Sequence, residues 1–198
     1  LASKVARRQE TIGIVDWLFA EVQRLGVESR FNCYAEVSDV LEENPDVVIV
    51  ATGGLPNTDF LRKGADLVVP SWDILAGTVK PKKNILLFDD NGQHPGISCA
   101  EFLAKWNLHP ETNASLSLEY VTPERIIAPD VGGTNYPAYL RALYENEVTI
   151  TLNHRLTEVH RNNSGLTAVL YNEYTHANIE RYVEQIVVEH GTLPLDEL

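Results

Sequence analysis

The stretch Asn84-Ile85-Leu86-Leu87-Phe88-Asp89-Asp90-Asn91-Gly92 decides the fold of this chain. Its first half is apolar without a break, and its second half is acidic and ends in glycine. Such a run, bounded by turn residues, is typical of a strand covered on both faces, as in a parallel sheet. An apolar pattern over 97–106 then predicts a helix. We therefore expect a strand–loop–helix unit of an α/β protein.

A related pattern precedes this stretch and a different one follows it. Upstream, the spacing predicts a helix from about 2 to 26, a strand over 27–33 and a buried strand over the β-branched run 46–51. Lys80-Pro81-Lys82-Lys83 separates the two units. Downstream, a strand over 116–121 and a helix from 134 to 144 lead into four strands, with a hairpin signal at 162–165; the four are predicted at 148–152, 156–160, 166–171 and 179–188. The prediction is a parallel sheet with a late antiparallel β-meander.

Composition excludes several classes of function. The chain has 198 residues, with 28 Asp and Glu against 16 Lys and Arg, which gives a formal net charge of −12. Phosphate backbones and anionic lipids repel such a chain, so we expect neither nucleic acid nor a membrane as a partner, and a cytoplasmic location. Two cysteines and scattered histidines predict no metal site. The chain begins at Leu1 and contains no Met, which predicts a piece of a longer protein.

The loop Asp89-Asp90-Asn91-Gly92 is the first candidate site, because ligands of doubly wound sheets bind beyond the carboxyl ends of strands. Three interpretations compete. The two carboxylates could cap the next helix, the loop could be a degenerate nucleotide site without the G-x-G-x-x-G spacing, or Asp89 and Asp90 could serve magnesium-dependent phosphotransfer. The second candidate is Ala51-Thr52-Gly53-Gly54, where small residues after a strand allow a ligand to approach the backbone. No nucleophile with a partnering base is evident, so we predict no catalytic residue.

The sequence resembles the C-terminal part of the trimethylamine dehydrogenase-like flavoproteins, which belong to the old yellow enzyme-type NADH:flavin oxidoreductases. It is most similar to their N-methylproline demethylase-like branch. The matching stretches follow one another in order along nearly the whole chain: 11–17, 45–54, 71–75, 87–96, 129–137 and 187–192. Relative to the family, residues 107–115 are expected to form a surface insertion.

The resemblance implies a Rossmann-like, FAD/NAD(P)-binding-type three-layer fold. It implies that 80–178 form an NAD(P)-binding-like domain inserted into a partial FAD/ADP-binding-like domain, made of 1–79 and 179–198. The matching positions imply cofactor contacts by Ala51, Thr52, Gly53 and Gly54, and by Asp89, Asp90, Asn91 and Gly92. The missing glycine fingerprint in the second loop speaks against an ordinary pyrophosphate site there.

The function implied is a fragment of a flavin-dependent oxidoreductase that acts on amines or N-methyl compounds. The parent enzyme would carry FMN and a 4Fe-4S cluster, and FAD or ADP as a further ligand. The fragment would contact the N-terminal TIM barrel of the same polypeptide and an electron acceptor protein. By itself it is expected to be non-catalytic and to hold no cofactor tightly. The alternative is a magnesium-dependent phosphotransfer or receiver-like domain that uses Asp89 and Asp90.

Overall fold

The structure is a computed structural model that describes residues 1–5, 7–108 and 116–196. The insertion predicted over 107–115 lies, from 109 onward, outside the described residues. The strands are β1 Gly54–Pro56, β2 Val69–Pro70, β3 Asn84–Asp89, β4 Ser117–Val121, β5 Thr149–Thr151, β6 His154–Arg161, β7 Leu166–Asn172, β8 Asn178–Val183, β9 Gln185–Glu189 and β10 Thr192–Pro194. The helices are α1 Ile12–Arg24, α2 Val37–Glu42, α3 Ser71–Ala76, α4 His94–Ala104 and α5 Tyr136–Glu145.

A five-stranded parallel sheet forms the centre of the fold, in the order β2-β9-β3-β4-β5. The opening stretch supplies β3, which lies between β9 and β4 as expected of a run that is apolar on both faces. β6, β7 and β8 form a separate antiparallel sheet joined in sequence order. The predicted α/β architecture, with a parallel sheet and a late antiparallel meander, is confirmed.

The side chains of β3 alternate between two apolar clusters, which shows how the layers stack. Ile85 and Leu87 pack in the cluster that contains the buried residues of α4 and α5. Leu86 and Phe88 pack in the other cluster, with the buried residues of the meander. The parallel sheet therefore lies between a helical layer and the β6–β8 sheet, and its carboxyl ends converge where Asp89 leaves β3.

Two strands predicted near the start of the chain are not formed. The segments 27–33 and 46–51 have no strand structure before Gly54, and the apolar run is open to solvent, with Val47 78% and Ile49 86% exposed. Most of the apolar residues of α1, such as Trp17 and Phe19, are exposed as well. A β-branched run becomes a strand only when a neighbouring strand takes up its N–H and C=O groups, and the described residues place none beside it.

The predicted strand 179–188 is divided at Glu184. Residues up to Val183 belong to the antiparallel meander as β8, whereas Gln185–Glu189 enter the parallel sheet as β9 between β2 and β3. The apolar pattern runs through both strands and hides the change of sheet. The chain thus passes from the meander to the parallel sheet at a single residue. As a result, Glu189 lies at the carboxyl edge of the parallel sheet.

We expect Phe88→Ala to lower the free energy of unfolding by about 3–5 kcal/mol, because it empties a fully buried site and removes the stacking on Phe60 at a centroid distance of 5.6 Å. Urea unfolding measures this difference. Tyr174→Ala is the control, since Tyr174 is 67% exposed and its loss is expected to change stability by less than about 0.5 kcal/mol. Equal losses in both variants would refute the assigned core.

Candidate functional site

Two acidic residues lie side by side where the central parallel strands end. Asp89 of β3 is the register partner of Glu189 of β9, and both side chains are buried. Asn91 joins them, because its backbone N–H donates to Asp89 Oδ1 at 3.0 Å and its side-chain Nδ2 donates to Glu189 Oε1 at 3.2 Å. This pair of carboxyl groups forms the floor of the candidate site.

The Asp89 carboxylate is held by the loop that follows it. It accepts the backbone N–H groups of Asn91 at 3.0 Å and Gly92 at 3.1 Å, and the Tyr120 hydroxyl also donates to it. A Cβ atom at Gly96 in the first turn of α4 would overlap this carboxylate, so glycine is required there. The backbone donors that a phosphate would need are thus already bound to a carboxylate.

The interpretation of Asp89 and Asp90 as caps of the following helix is wrong in its geometry. α4 begins after Gln93, so Gln93 and not Asp89 or Asp90 is its N-cap residue, and the Gln93 side chain makes no capping hydrogen bond. Asp89 binds the loop two and three residues ahead, as an Asx-type turn does. It therefore stabilises the loop conformation, in which Gly92 has a φ of +68°, and not the helix end.

Burial changes the acidity of this cluster. Loss of water raises the pKa of Asp89 to about 6, although the hydrogen bonds from Tyr120, Gly92 and Asn91 oppose the shift. Burial likewise raises the pKa of Glu189, against hydrogen bonds from Ser71 and Asn91. Both carboxyl groups thus hold a proton more readily than exposed ones.

The buried Cys99 thiol near this cluster is not activated as a nucleophile. Burial first, and then the nearby negative charges, raise the pKa of Cys99 far above its ordinary value. At neutral pH the group is therefore a thiol, which is a poor nucleophile.

The second carboxylate of the loop, Asp90, faces the other side and is fully engaged. Its Oδ1 lies 2.6 Å from Nδ1 of His190, and its Oδ2 accepts from Nη1 of Arg155 at 3.2 Å. The His190 ring stacks on Phe60 with 4.3 Å between centroids. A magnesium-dependent phosphotransfer site needs free carboxylate oxygens, and the oxygens of Asp89 and Asp90 have protein partners instead. Within the described residues, no group of three or more His, Cys, Asp or Glu side chains could hold a metal ion.

The predicted turn at 51–54 lies against the last strand. The Thr52 hydroxyl donates to the carbonyl of Leu195, and the N–H of Leu195 donates to the carbonyl of Gly53 at 3.0 Å. Gly53 has a φ of +72°, and a Cβ atom at Gly54 would overlap the backbone of Leu193. The chain at β10 therefore makes the close approach to the backbone that these glycines allow.

Residues 189–194 connect the two predicted loops. Glu189 and His190 contact Asn91 and Asp90, and two residues later β10 begins and pairs with β1, which starts at Gly54. Both loops are described, and no hydrogen bond or ion pair joins the loop 51–54 to the loop 89–92. Their assignment to cofactor binding stays a prediction, and the carboxylate-filled loop does not fit a pyrophosphate.

Several residues of this edge escaped the sequence analysis. They are Phe60, Ser71, Tyr120, Arg155, Glu189 and His190. One signal could have revealed two of them: Glu189-His190 follow the apolar run 186–188 just as Asp89-Asp90 follow 85–88. The rule that strands of a parallel sheet end at one edge would have placed both pairs together. The others come from distant segments with no pattern of their own.

Comparisons with known proteins identify relatives of the chain. No protein-family profile matches the chain. Over its entire length, however, it is 42% identical to a probable N-methylproline demethylase of Rhizobium meliloti (strain 1021), of which it spans 28%. It is also 40% identical, over its entire length, to an N,N-dimethylglycine/sarcosine dehydrogenase of Chromohalobacter salexigens, again spanning 28% of that protein.

Over its entire length the chain is similar to trimethylamine dehydrogenase-like flavoproteins. It corresponds to a C-terminal region of those oxidoreductases and spans little more than a quarter of these relatives. A solved member of the same fold is histamine dehydrogenase from Rhizobium sp. 4-9, which superposes with a TM-score of 0.81 at 20% identity over 98% of this chain and 30% of that one. The family resemblance drawn from the motifs is confirmed. In the described part of the chain, no helix is both long and apolar enough to cross a bilayer.

We expect the buried Asp89 to make stability depend on pH. Its folded-state pKa of about 6 exceeds the ordinary 3.8, so the stability it contributes is complete below about pH 4 and is lost as the pH rises through 6. Asp89→Asn should therefore gain about 2–3 kcal/mol relative to the wild type between pH 4 and pH 7, as measured by urea unfolding at each pH.

Tyr120→Phe provides the matched comparison. The Tyr120 hydroxyl lowers the pKa of Asp89, so its removal should move the loss of stability to higher pH. A difference between wild type and Asp89→Asn that does not vary with pH would contradict the assignment of the titration to this carboxyl group.

Proposed function

We propose that the chain is the C-terminal nucleotide-binding-like region of a flavin-dependent oxidoreductase that acts on amines or N-methyl compounds. The observation that carries the proposal is the match of the entire chain, at 40–42% identity, to an N-methylproline demethylase and a dimethylglycine/sarcosine dehydrogenase. The fold is Rossmann-like, and the parallel sheet with helices on one face and a meander on the other supports it.

Two units make up this region. Residues 80–178 form an inserted NAD(P)-binding-like domain, and residues 1–79 with 179–198 form part of an FAD/ADP-binding-like domain. β2 and β9 come from the second group of residues and extend the sheet of the first. These two strands connect the units, and β8, which begins at the boundary between them, pairs with β7 of the inserted domain.

The region has a supporting role and no catalytic one. The carboxylates at its carboxyl edge are occupied by protein donors, and the Cys99 thiol is fully buried. FMN and the 4Fe-4S cluster belong to the remainder of the parent enzyme, because a cluster needs four thiolates and this chain has two cysteines. The turn 51–54 supplies the contact with FAD or ADP. The loop 89–92 supports the neighbouring ends of β3 and β9.

The partner of this region is the N-terminal TIM barrel of the same cytoplasmic polypeptide, and an electron acceptor protein docks on the assembly. The exposed apolar residues of α1 and of 47–50 support this proposal. A contiguous apolar surface on a soluble protein marks a place where another protein surface packs. The low coverage of the relatives agrees, since most of their length lies outside the matched region.

A chimera tests the proposal. The chain replaces the corresponding 28% of the Rhizobium meliloti relative, and reduction of a dye that depends on N-methylproline is measured. We expect the chimera to be active and the relative without this region to be inactive or insoluble. An inactive chimera that folds and carries its flavin would refute the proposed equivalence.

The 198-residue chain alone is the complementary sample. We expect it to be colourless after purification and to show no turnover of N-methylproline, sarcosine or dimethylglycine. FAD at 100-fold its dissociation constant would stabilise the chain by about 2.7 kcal/mol, so a thermal melt with FAD detects binding. Stoichiometric FAD released on denaturation, or turnover by the chain alone, would overturn the supporting role.

A further inference from the structure

A polar cleft opens beside the buried carboxyl pair, where the ends of β3 and β9 meet one end of the meander. Its volume is about 540 Å³, which lies within the range of small-molecule sites. Side chains from five separate segments line it, among them Phe60, Arg62, Arg155, Thr157, Asn178 and His190. We call it the carboxyl-edge cleft. None of its residues belongs to the loops 51–54 or 89–92.

His190 is held in one orientation at the inner wall of the carboxyl-edge cleft. Its Nδ1 lies 2.6 Å from the Asp90 carboxylate, which can only accept a hydrogen bond and therefore requires the proton on Nδ1. Phe60 stacks on the ring from the other side. In the described part of the chain, no residue hydrogen-bonds Nε2. The ring thus offers a fixed second nitrogen to whatever enters the cleft.

Two more polar groups face the cleft without a protein partner. Within residues 1–5, 7–108 and 116–196, the Arg62 guanidinium makes no ion pair, and the Asn178 side chain makes no hydrogen bond. Other polar side chains of the cleft are satisfied: Arg155 binds Asp90 and Glu173, and the Thr157 hydroxyl donates to the carbonyl of Val169 at 3.1 Å. The free groups are donors, or can act as donors, on different walls.

The cleft offers one free guanidinium to an anion, although the chain is acidic. Glu158 also lines the cleft, and Lys63 at 3.4 Å and His160 at 3.1 Å lie against its carboxylate. Arg155 is shared between Asp90 and Glu173. Within the described residues, the guanidinium of Arg62 is the cationic group of the lining that makes no ion pair. Donors on several walls suit a tetrahedral oxyanion, which presents acceptor oxygens in several directions, better than a planar carboxylate.

We propose that the carboxyl-edge cleft binds a small molecule that carries a phosphate group, with Arg62 and Asn178 donating to the phosphate oxygens and His190 Nε2 accepting a hydrogen bond from a hydroxyl group of the same molecule. The site is separate from the cofactor contacts of the proposed function and does not depend on the parent reaction. Because Asp90 and Phe60 fix the His190 ring before binding, little conformational freedom is lost when the ligand enters.

In the test, the 198-residue chain is titrated separately with glycerol 3-phosphate, inorganic phosphate and citrate. Isothermal titration calorimetry measures the binding. We expect saturable binding of glycerol 3-phosphate, weaker binding of inorganic phosphate and none of citrate. Arg62→Gln should weaken binding about tenfold, because a charge-assisted hydrogen bond is lost. His190→Phe should weaken it as well while the ring still stacks on Phe60, and its thermal melt checks that the variant is folded.

Arg161→Gln is the matched control, since it also removes one positive charge. Arg161 is the last residue of β6 and does not line the cleft. Loss of affinity in Arg62→Gln alone supports the site. Equal losses in Arg62→Gln and Arg161→Gln would show that net charge alone governs binding, which overturns it. Absence of saturable binding, or citrate binding as tightly as glycerol 3-phosphate, would overturn it too. These outcomes are independent of the chimera, whose failure concerns the parent enzyme only.

Discussion

The burial of the Asp89 carboxylate is the constraint on which the carboxyl edge depends. This group has left water at the end of the central strand, so every oxygen lone pair that it offers must find a protein donor. The loop supplies two N–H groups from Asn91 and Gly92, and β4 supplies the Tyr120 hydroxyl. Gly96 is required beside it because any side chain there would collide with the carboxylate. The positions of the loop, of β4 and of α4 are thus tied to one acidic side chain.

The same arrangement explains how a strand–loop–helix unit can keep its fold without binding the phosphate of a nucleotide. In dinucleotide-binding loops, free N–H groups and the helix N-terminus attract a pyrophosphate. Here a side-chain carboxylate of the protein takes up the N–H groups of the loop. A second charge in the same place would be repelled, and Glu189 in the neighbouring strand adds to the repulsion. The proposed anion site lies on the other side of the loop, where Asp90 orients His190 and where Arg62 makes no ion pair with any described residue.

The sequence analysis succeeded where the physical signal was local. The apolar run of β3, the alternation of β6 to β8 and the turn residues at 162–165 each specify their structure with nearby residues only. It failed at 27–33 and 46–51, because a strand depends on a neighbour that the local pattern does not reveal. It also failed at Glu184, where the chain changes sheets without a change in hydrophobicity. At the site, the loop 89–92 is recognisable from the sequence, but the partners Tyr120, Arg155 and His190 are not, because they lie 31, 65 and 100 residues away.

The sequence by itself determined the α/β fold class, the buried strand β3, the antiparallel meander and, through its motifs, the resemblance to the trimethylamine dehydrogenase-like flavoproteins. These follow from residue types and their spacing, which tertiary contacts do not alter. Only the tertiary structure decided which side chains meet at the carboxyl edge. The role of Asp89 as the internal partner of its loop, and the pairing of Asp90 with His190, arise because strands far apart in the chain end at the same edge of a sheet. Proximity of this kind is set by packing in three dimensions, and no local pattern encodes it.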